Sequence, residues 1–103
     1  MKPTAVDTDI PVDFAVTGVY PNPFNMSATI EYILPEDGFV TLTIYNVMGQ
    51  KICELISENM PMGPHTINWD GRYRNGMSVS AGIYFSHLKL GDKVATKRMM
   101  LLK

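Results

Sequence analysis

The sequence predicts an all-β chain: an immunoglobulin-like β-sandwich of about seven antiparallel strands. Three observations carry that expectation. Apolar residues alternate with polar ones at period two, most clearly where Val40, Leu42 and Ile44 interleave with Thr41, Thr43 and Tyr45. Turn-forming glycine, proline, asparagine and aspartate separate these runs at short intervals. No window carries an apolar stripe at helical spacing. A chain of 103 residues suffices for one domain with one core.

Residues 1–13 read as a linker, with Pro3, Pro11 and three aspartates in no period. Residues 14–103 read as the folded domain, and Phe14-Ala15-Val16 begins its first strand. Two prolines in Tyr20-Pro21-Asn22-Pro23-Phe24-Asn25 remove two backbone donors and forbid a helix, which makes an extended edge piece. Tyr20 and Phe24 are expected to plug one end of the core. Thr29–Leu34 alternates, with Ile30, Tyr32 and Leu34 on the core face, and Pro35–Gly38 turns the chain. Leu42 and Ile44 belong to the core of the next strand, and Asn46–Gln50 makes the next turn. Lys51–Ile56 is a shorter strand whose candidate core residues, Ile52 and Leu55, stand three apart. That spacing predicts a β-bulge.

Ser57–Pro64 reads as a loop, after which His65–Leu90 organises the rest. It reads as strand, tight connection, strand, with the other strands laid against this pair. Trp69, the only tryptophan, has the largest apolar body and is expected inside. Asp70-Gly71 and Asn75-Gly76 build the connection from turns. Tyr84 sits near the start of a central strand, where its ring would be buried and its hydroxyl would reach backbone at the corner. Leu88 shares its face, which turns Ile83 and Phe85 outward as an apolar patch that needs a cover or partner. Gly91-Asp92 is a two-residue hairpin turn, and the last strand runs from Lys93 to Leu102.

Composition excludes several classes of function. The formal net charge of −1 argues against nucleic acid as a partner. No apolar run approaches the roughly 20 residues of a membrane-spanning helix. Met1-Lys2-Pro3-Thr4 does not lead into a signal peptide, so the chain is expected to be cytoplasmic or a piece of a longer secreted protein. Six of the ten acids lie in the first 37 residues and five of the nine bases in the last fifteen. Neighbouring edge strands of opposite charge explain this distribution, and a basic terminal strand offered to a receptor is the sharper alternative. Cys53 has no disulfide partner and sits between Ile52 and Leu55, as a small buried hydrophobe would. It says nothing about compartment.

No catalytic constellation stands out, and no enzyme activity or cofactor is expected. His65 and His87 lie on strands without a third metal ligand at a fixed offset. Ser78, Ser80 and Ser86 lack the strand-to-helix elbow of a serine nucleophile. Asp70–Gly76 has two arginines where an acidic calcium loop needs ligands. The eight methionines are expected to fill gaps in the core and at its edges. Tyr45 and Tyr73 are the only aromatics expected to point outward, too few for a row of exposed rings that would bind a glycan.

Several blocks occur together in one order. They are Tyr20-Pro21-Asn22-Pro23-Phe24-Asn25, Thr29–Tyr32, Val40–Lys51, Gly63–Gly71, Gly82-Ile83-Tyr84-Phe85 and Met99–Lys103. In this order and spacing the chain resembles the C-terminal sorting domain of type IX secretion cargo (type A). That domain is similar to the immunoglobulin-like domain of the flagellar hook-capping protein. Met26 departs from the pattern, standing where the family usually has another proline. The resemblance implies a non-catalytic domain ending a larger secreted precursor and addressing it to the cell surface. It implies an outer-membrane translocon and a sortase-like peptidase as partners, with cleavage in the linker. Candidate recognition elements are Pro21, Asn22, Pro23 and Phe24; Gly49 and Lys51 in the following turn; and Lys97, Arg98 and Lys103 on the basic last strand. The alternatives are a hook-cap-like assembly module, associating through an edge strand or the Ile83/Phe85 face, and an accessory module of a secreted hydrolase.

Overall fold

The computed structural model describes residues 15–102. Phe14, Lys103 and the linker assigned to residues 1–13 lie outside the described residues. Seven strands follow in order: β1 (Ala15–Tyr20), β2 (Ala28–Leu34), β3 (Gly38–Asn46), β4 (Lys51–Met60), β5 (Gly63–Trp69), β6 (Gly82–Leu90) and β7 (Lys93–Leu101). They form a three-stranded sheet, β1-β2-β5, packed on a four-stranded sheet, β4-β3-β6-β7. Every pair within each sheet is antiparallel. This is the all-β, immunoglobulin-like sandwich that the alternation implied.

The alternation decides what is buried. Ile30, Tyr32 and Leu34 of β2 face Val40, Leu42 and Ile44 of β3 and Tyr84 and Leu88 of β6 across a shared core. Ser86 is also fully buried on this face, and its hydroxyl donates to the Lys97 carbonyl at 3.2 Å, so no polar group is stranded. The register of β3 against β4 slips twice, leaving Ile52 and Leu55 as the extra residues of two bulges. The bulges let Ile52, Cys53 and Ile56 all reach the core from one strand.

Four expectations need correction. Ser57–Pro64 is not a loop: β4 runs to Met60 and β5 starts at Gly63, so only Pro61 and Met62 connect them. Ser57, Glu58 and Asn59 pair with Thr41, Val40 and Phe39 along the sheet edge, where solvent permits polar side chains on a strand. Second, β5 and β6 are not a pair. β5 edges the smaller sheet and β6 lies inside the larger one, so residues 70–81 cross between layers. Third, Tyr20 does not plug the core. It is 48% exposed and its hydroxyl donates to Glu31 on the outer face, while Phe24 is buried. Fourth, the methionines are mostly outside the core. Met99 is buried, but Met26, Met48, Met62, Met77 and Met100 are exposed.

Candidate recognition surface

The two poles of the sandwich differ. At one pole lie the turns 35–37, 61–62 and 91–92, and Lys93 there pairs with Glu36 at 3.6 Å across exposed side chains. At the other pole Asn46 pairs with Tyr84, and Tyr84 with Met99. The 47–50 turn, the start of β6 and the end of β7 therefore share that pole. Trp69 is buried there, its ring centroid 5.3 Å from Tyr84 and 5.6 Å from Phe24. The Tyr84 hydroxyl donates to the Ser80 carbonyl at 2.6 Å, the corner its position implied. The Trp69 indole N–H donates to the Arg72 carbonyl at 3.1 Å, so the largest ring is buried with its one polar atom satisfied.

The proline-rich segment is stitched to the last strand. The Asn22 side chain accepts from the Met100 N–H at 3.0 Å and donates to the Arg98 carbonyl at 3.4 Å. One side-chain amide thus stands in for a peptide group against the outer edge of β7. Phe24 continues the seal through its own backbone: its N–H donates to the Met100 carbonyl (2.9 Å), and its carbonyl accepts from Leu102 N–H (2.7 Å). These contacts make a short parallel bridge between Phe24 and Leu101. The prolines lack the N–H that an exposed edge would leave unpaired. Both Pro21 and Pro23 remain exposed.

Among the other candidates, Gly49 has φ of +81° and sits in a turn closed around Asn46. The Asn46 carboxamide oxygen accepts from the Met48 and Gln50 N–H groups at 3.0 and 2.9 Å, and its NH2 donates to the Gln50 side chain at 2.8 Å. Lys51 leaves that turn with its side chain exposed. Lys97 and Arg98 are exposed on β7, with no carboxylate ion-pair partner among the described residues. The expectation of oppositely charged neighbouring edge strands is not met there: β7 lies beside β1, whose described residues carry no acid. Pro21, Asn22, Pro23, Phe24, Gly49 and Lys51 thus gather at the Trp69 pole, with Arg98 beside Asn22. Lys103 lies outside the described residues. The residues missed from the sequence at this pole are Asn25, Met26, Asp70, Gly71, Arg72 and Ser78, which line a cleft of about 170 Å³ with Leu101. Their turn signals were legible; their meeting with the proline segment was not.

The histidines and the free cysteine do not suggest chemistry: His65 lies on the core-facing side of β5 opposite Tyr32, and His87 on the outer side of β6. His65 donates from Nε2 to the Pro61 carbonyl at 2.7 Å and stacks on Tyr32. His87 bonds Thr96 Oγ1 at 3.2 Å and meets Tyr45 edge-on. Among the described residues no group of three or more histidine, cysteine, aspartate or glutamate side chains is placed to hold a metal ion. Burial pushes the Cys53 thiol up to about 11, keeping it protonated and unreactive at neutral pH. Ile83 and Phe85 face outward but are half-buried. Tyr20 and Phe39 join Tyr45 and Tyr73 as outward aromatics, more than the sequence suggested, but they are spread over both sheets and the 70–81 connection.

Two antiparallel sheets of three and four strands packed face to face define the class of immunoglobulin-like β-sandwich domains. The chain belongs to the secretion system C-terminal sorting domain family, which matches residues 18–102. It is the sorting domain of a type IX secretion substrate, marking its precursor for secretion or the cell surface. No curated protein matches the sequence. Among solved structures, dimeric latent PorU from Porphyromonas gingivalis is 22% identical over 82% of this chain, with a TM-score of 0.63. PorZ, an essential surface component of the type IX secretion system of the same bacterium, is 20% identical over 84%, with a TM-score of 0.59. FlgD of Xanthomonas campestris, which caps the flagellar hook, is 23% identical over 86%, with a TM-score of 0.57. The chain spans 9%, 11% and 59% of those three chains respectively. At these identities the likeness is one of fold. Among the described residues no helix is long and apolar enough to cross a membrane.

Proposed function

We propose that this domain does no chemistry of its own. It is grasped by the outer-membrane translocon through the Trp69 pole and is then removed by a sortase-like peptidase cutting in residues 1–13, upstream of the folded domain at 14–103. One geometric observation carries the reading. β1 begins at Ala15 opposite Ile33 and ends at Tyr20 opposite Thr29, so the chain enters at the far pole and delivers Pro21–Phe24 to the Trp69 pole. Six residues of strand at about 3.3 Å each put roughly 20 Å between the start of β1 and the candidate recognition elements. A passenger is thus joined to the domain at the pole opposite the proposed address. The prolines, the closed 47–50 turn and the sealed β7 edge present that address as fixed backbone, which lowers the ordering cost of being bound.

The test is a reporter with an N-terminal signal peptide, fused to residues 1–103 in a type IX-competent host. The fusion is expected outside the cell, and a host lacking the translocon is expected to hold it in the periplasm. Mass spectrometry of the exported reporter is expected to find a C-terminus before Ala15. Periplasmic retention in the competent host contradicts the sorting role, and an exported reporter with the domain intact contradicts the removal step.

A further inference from the structure

The connection between β5 and β6 is longer than its task requires. Packed sheets lie about 10 Å apart, a gap that three or four extended residues span. This chain spends residues 70–81 on it. The surplus folds into a miniature hairpin with its own bonds. Val79 N–H donates to the Gly71 carbonyl at 3.0 Å, Tyr73 N–H to the Met77 carbonyl at 2.7 Å, and Gly76 N–H to the Tyr73 carbonyl at 2.9 Å. Arg72 Nη1 donates to the Gly76 carbonyl at 2.8 Å, and Met77 N–H to the Asn75 side chain at 3.0 Å. Gly71 anchors the base with φ of +72°, where a Cβ would meet the Met26 carbonyl oxygen at 3.6 Å.

The hairpin contributes little to the core, because only Gly71 and Val79 within it are buried. Its tip turns apolar and cationic groups to solvent: Tyr73 is 40% exposed, Met77 65%, and Met26 at its foot 79%. Arg74 is exposed and has no carboxylate partner among the described residues, whereas Arg72 faces Asp70 at 3.7 Å. Tyrosine and arginine are among the residue types that concentrate binding energy at protein interfaces, and methionine is enriched there. Here they project from a loop whose path is already fixed, so docking them orders little.

We propose that the 72–77 hairpin tip is the knob by which the Trp69 pole docks. Its occupant is a folded protein of the secretion machinery with an apolar pocket, filled by Tyr73 and Met77, and an acidic rim facing Arg74. This rests on the sorting role proposed above and adds a surface to it. A membrane lipid is disfavoured, because one unpaired arginine on a narrow tip offers an anionic surface little of the charge that such binding uses.

The experiment compares the exported fraction of the signal-peptide reporter fused to residues 1–103 with that of its Tyr73→Ser/Arg74→Ser/Met77→Ser variant. Thr66→Ser, on the outer face of the three-stranded sheet, is the control. The triple variant is expected to lose about tenfold or more in export, with tryptophan emission and melting temperature unchanged. Arg74→Glu alone, which leaves the hairpin bonds in place, is expected to lose most of the same export and decides the matter if the triple variant misfolds. A photo-crosslinker at position 73 is expected to capture a protein of the secretion machinery, and one at position 66 is not. Export of folded variants at the parent level overturns the proposal while leaving the sorting role standing. Capture of lipopolysaccharide in place of protein at position 73 also overturns it. A parent fusion that never leaves the periplasm overturns both.

Discussion

The side-chain amide of Asn22 is bonded to the backbone of Met100, 78 residues further along the chain, with its oxygen 3.0 Å from the Met100 nitrogen. With its second bond to the Arg98 carbonyl, this contact closes part of the β7 edge and fixes the proline segment against the end of the chain. Asn22→Ala removes both bonds and is expected to cost about 1–2 kcal/mol of stability. Asn22→Asp keeps the acceptor for Met100 N–H but loses the donor to Arg98, and is expected to cost less than alanine. Urea unfolding of the two variants checks the order.

The Tyr84 corner makes a sharper prediction, because one atom is at stake. Tyr84→Phe keeps the ring against Trp69 and removes only the hydroxyl that donates to the Ser80 carbonyl. A loss of about 1–2 kcal/mol is expected. For a domain of this size that lowers the melting temperature by about 5–15 °C. An unchanged melting temperature contradicts the corner as a stabilising contact.

Trp69 is 1% exposed and touches rings contributed by both sides of the core. Trp69→Ala is expected to cost about 3–5 kcal/mol, the range for emptying a site that held a large aromatic. In the parent protein the indole emission is expected to be blue-shifted when folded and to move to the red on unfolding. Native emission at the position of free tryptophan contradicts the packing.

Alkaline pH probes the other side of the core. Burial holds the Cys53 thiol at about 11, against 9.0 for an ordinary thiol. Between about pH 9 and pH 11 the unfolded chain has released this proton while the folded chain keeps it. Stability therefore falls as pH rises through that window and is indifferent to this group below it. Tyr32, pushed to about 12 first by burial and then by Glu58, extends the fall to higher pH. Cys53→Ala is expected to flatten the decline between pH 9 and 11 in chemical denaturation. An identical slope in parent and variant rules out the thiol as its source.

What could be read from the residues, and what could not, divides by the range of the interaction. Ile30, Tyr32 and Leu34, or Val40, Leu42 and Ile44, announce their strands because burial on one face imposes period two locally. The three-residue step from Ile52 to Leu55 announced a bulge for the same reason. Ser57-Glu58-Asn59 announced nothing, since an edge strand wet on its open side does not need apolar alternation. Which sheet holds β5 and which holds β6 is settled by pairing with Thr29–Leu34 and with Val40–Asn46. No short window contains that information. The proline segment was legible as extended, but the partners of Asn22 and Phe24 lie more than seventy residues away. The candidate recognition elements were thus visible in the sequence as fragments, and their assembly at one pole is a product of the fold.

That assembly is the central claim, and inserting bulk at each pole tests it most directly. Hairpin turns tolerate insertions with little loss of stability, so one small folded tag can be placed between Val47 and Met48 or between Gly91 and Asp92. Export of the signal-peptide reporter fused to each version is then measured in a type IX-competent host. The account predicts that the tag at 47–48 blocks export while the tag at 91–92, at the pole where β1 begins, leaves it intact. Equal export from two folded insertions, or a block only at 91–92, would contradict it.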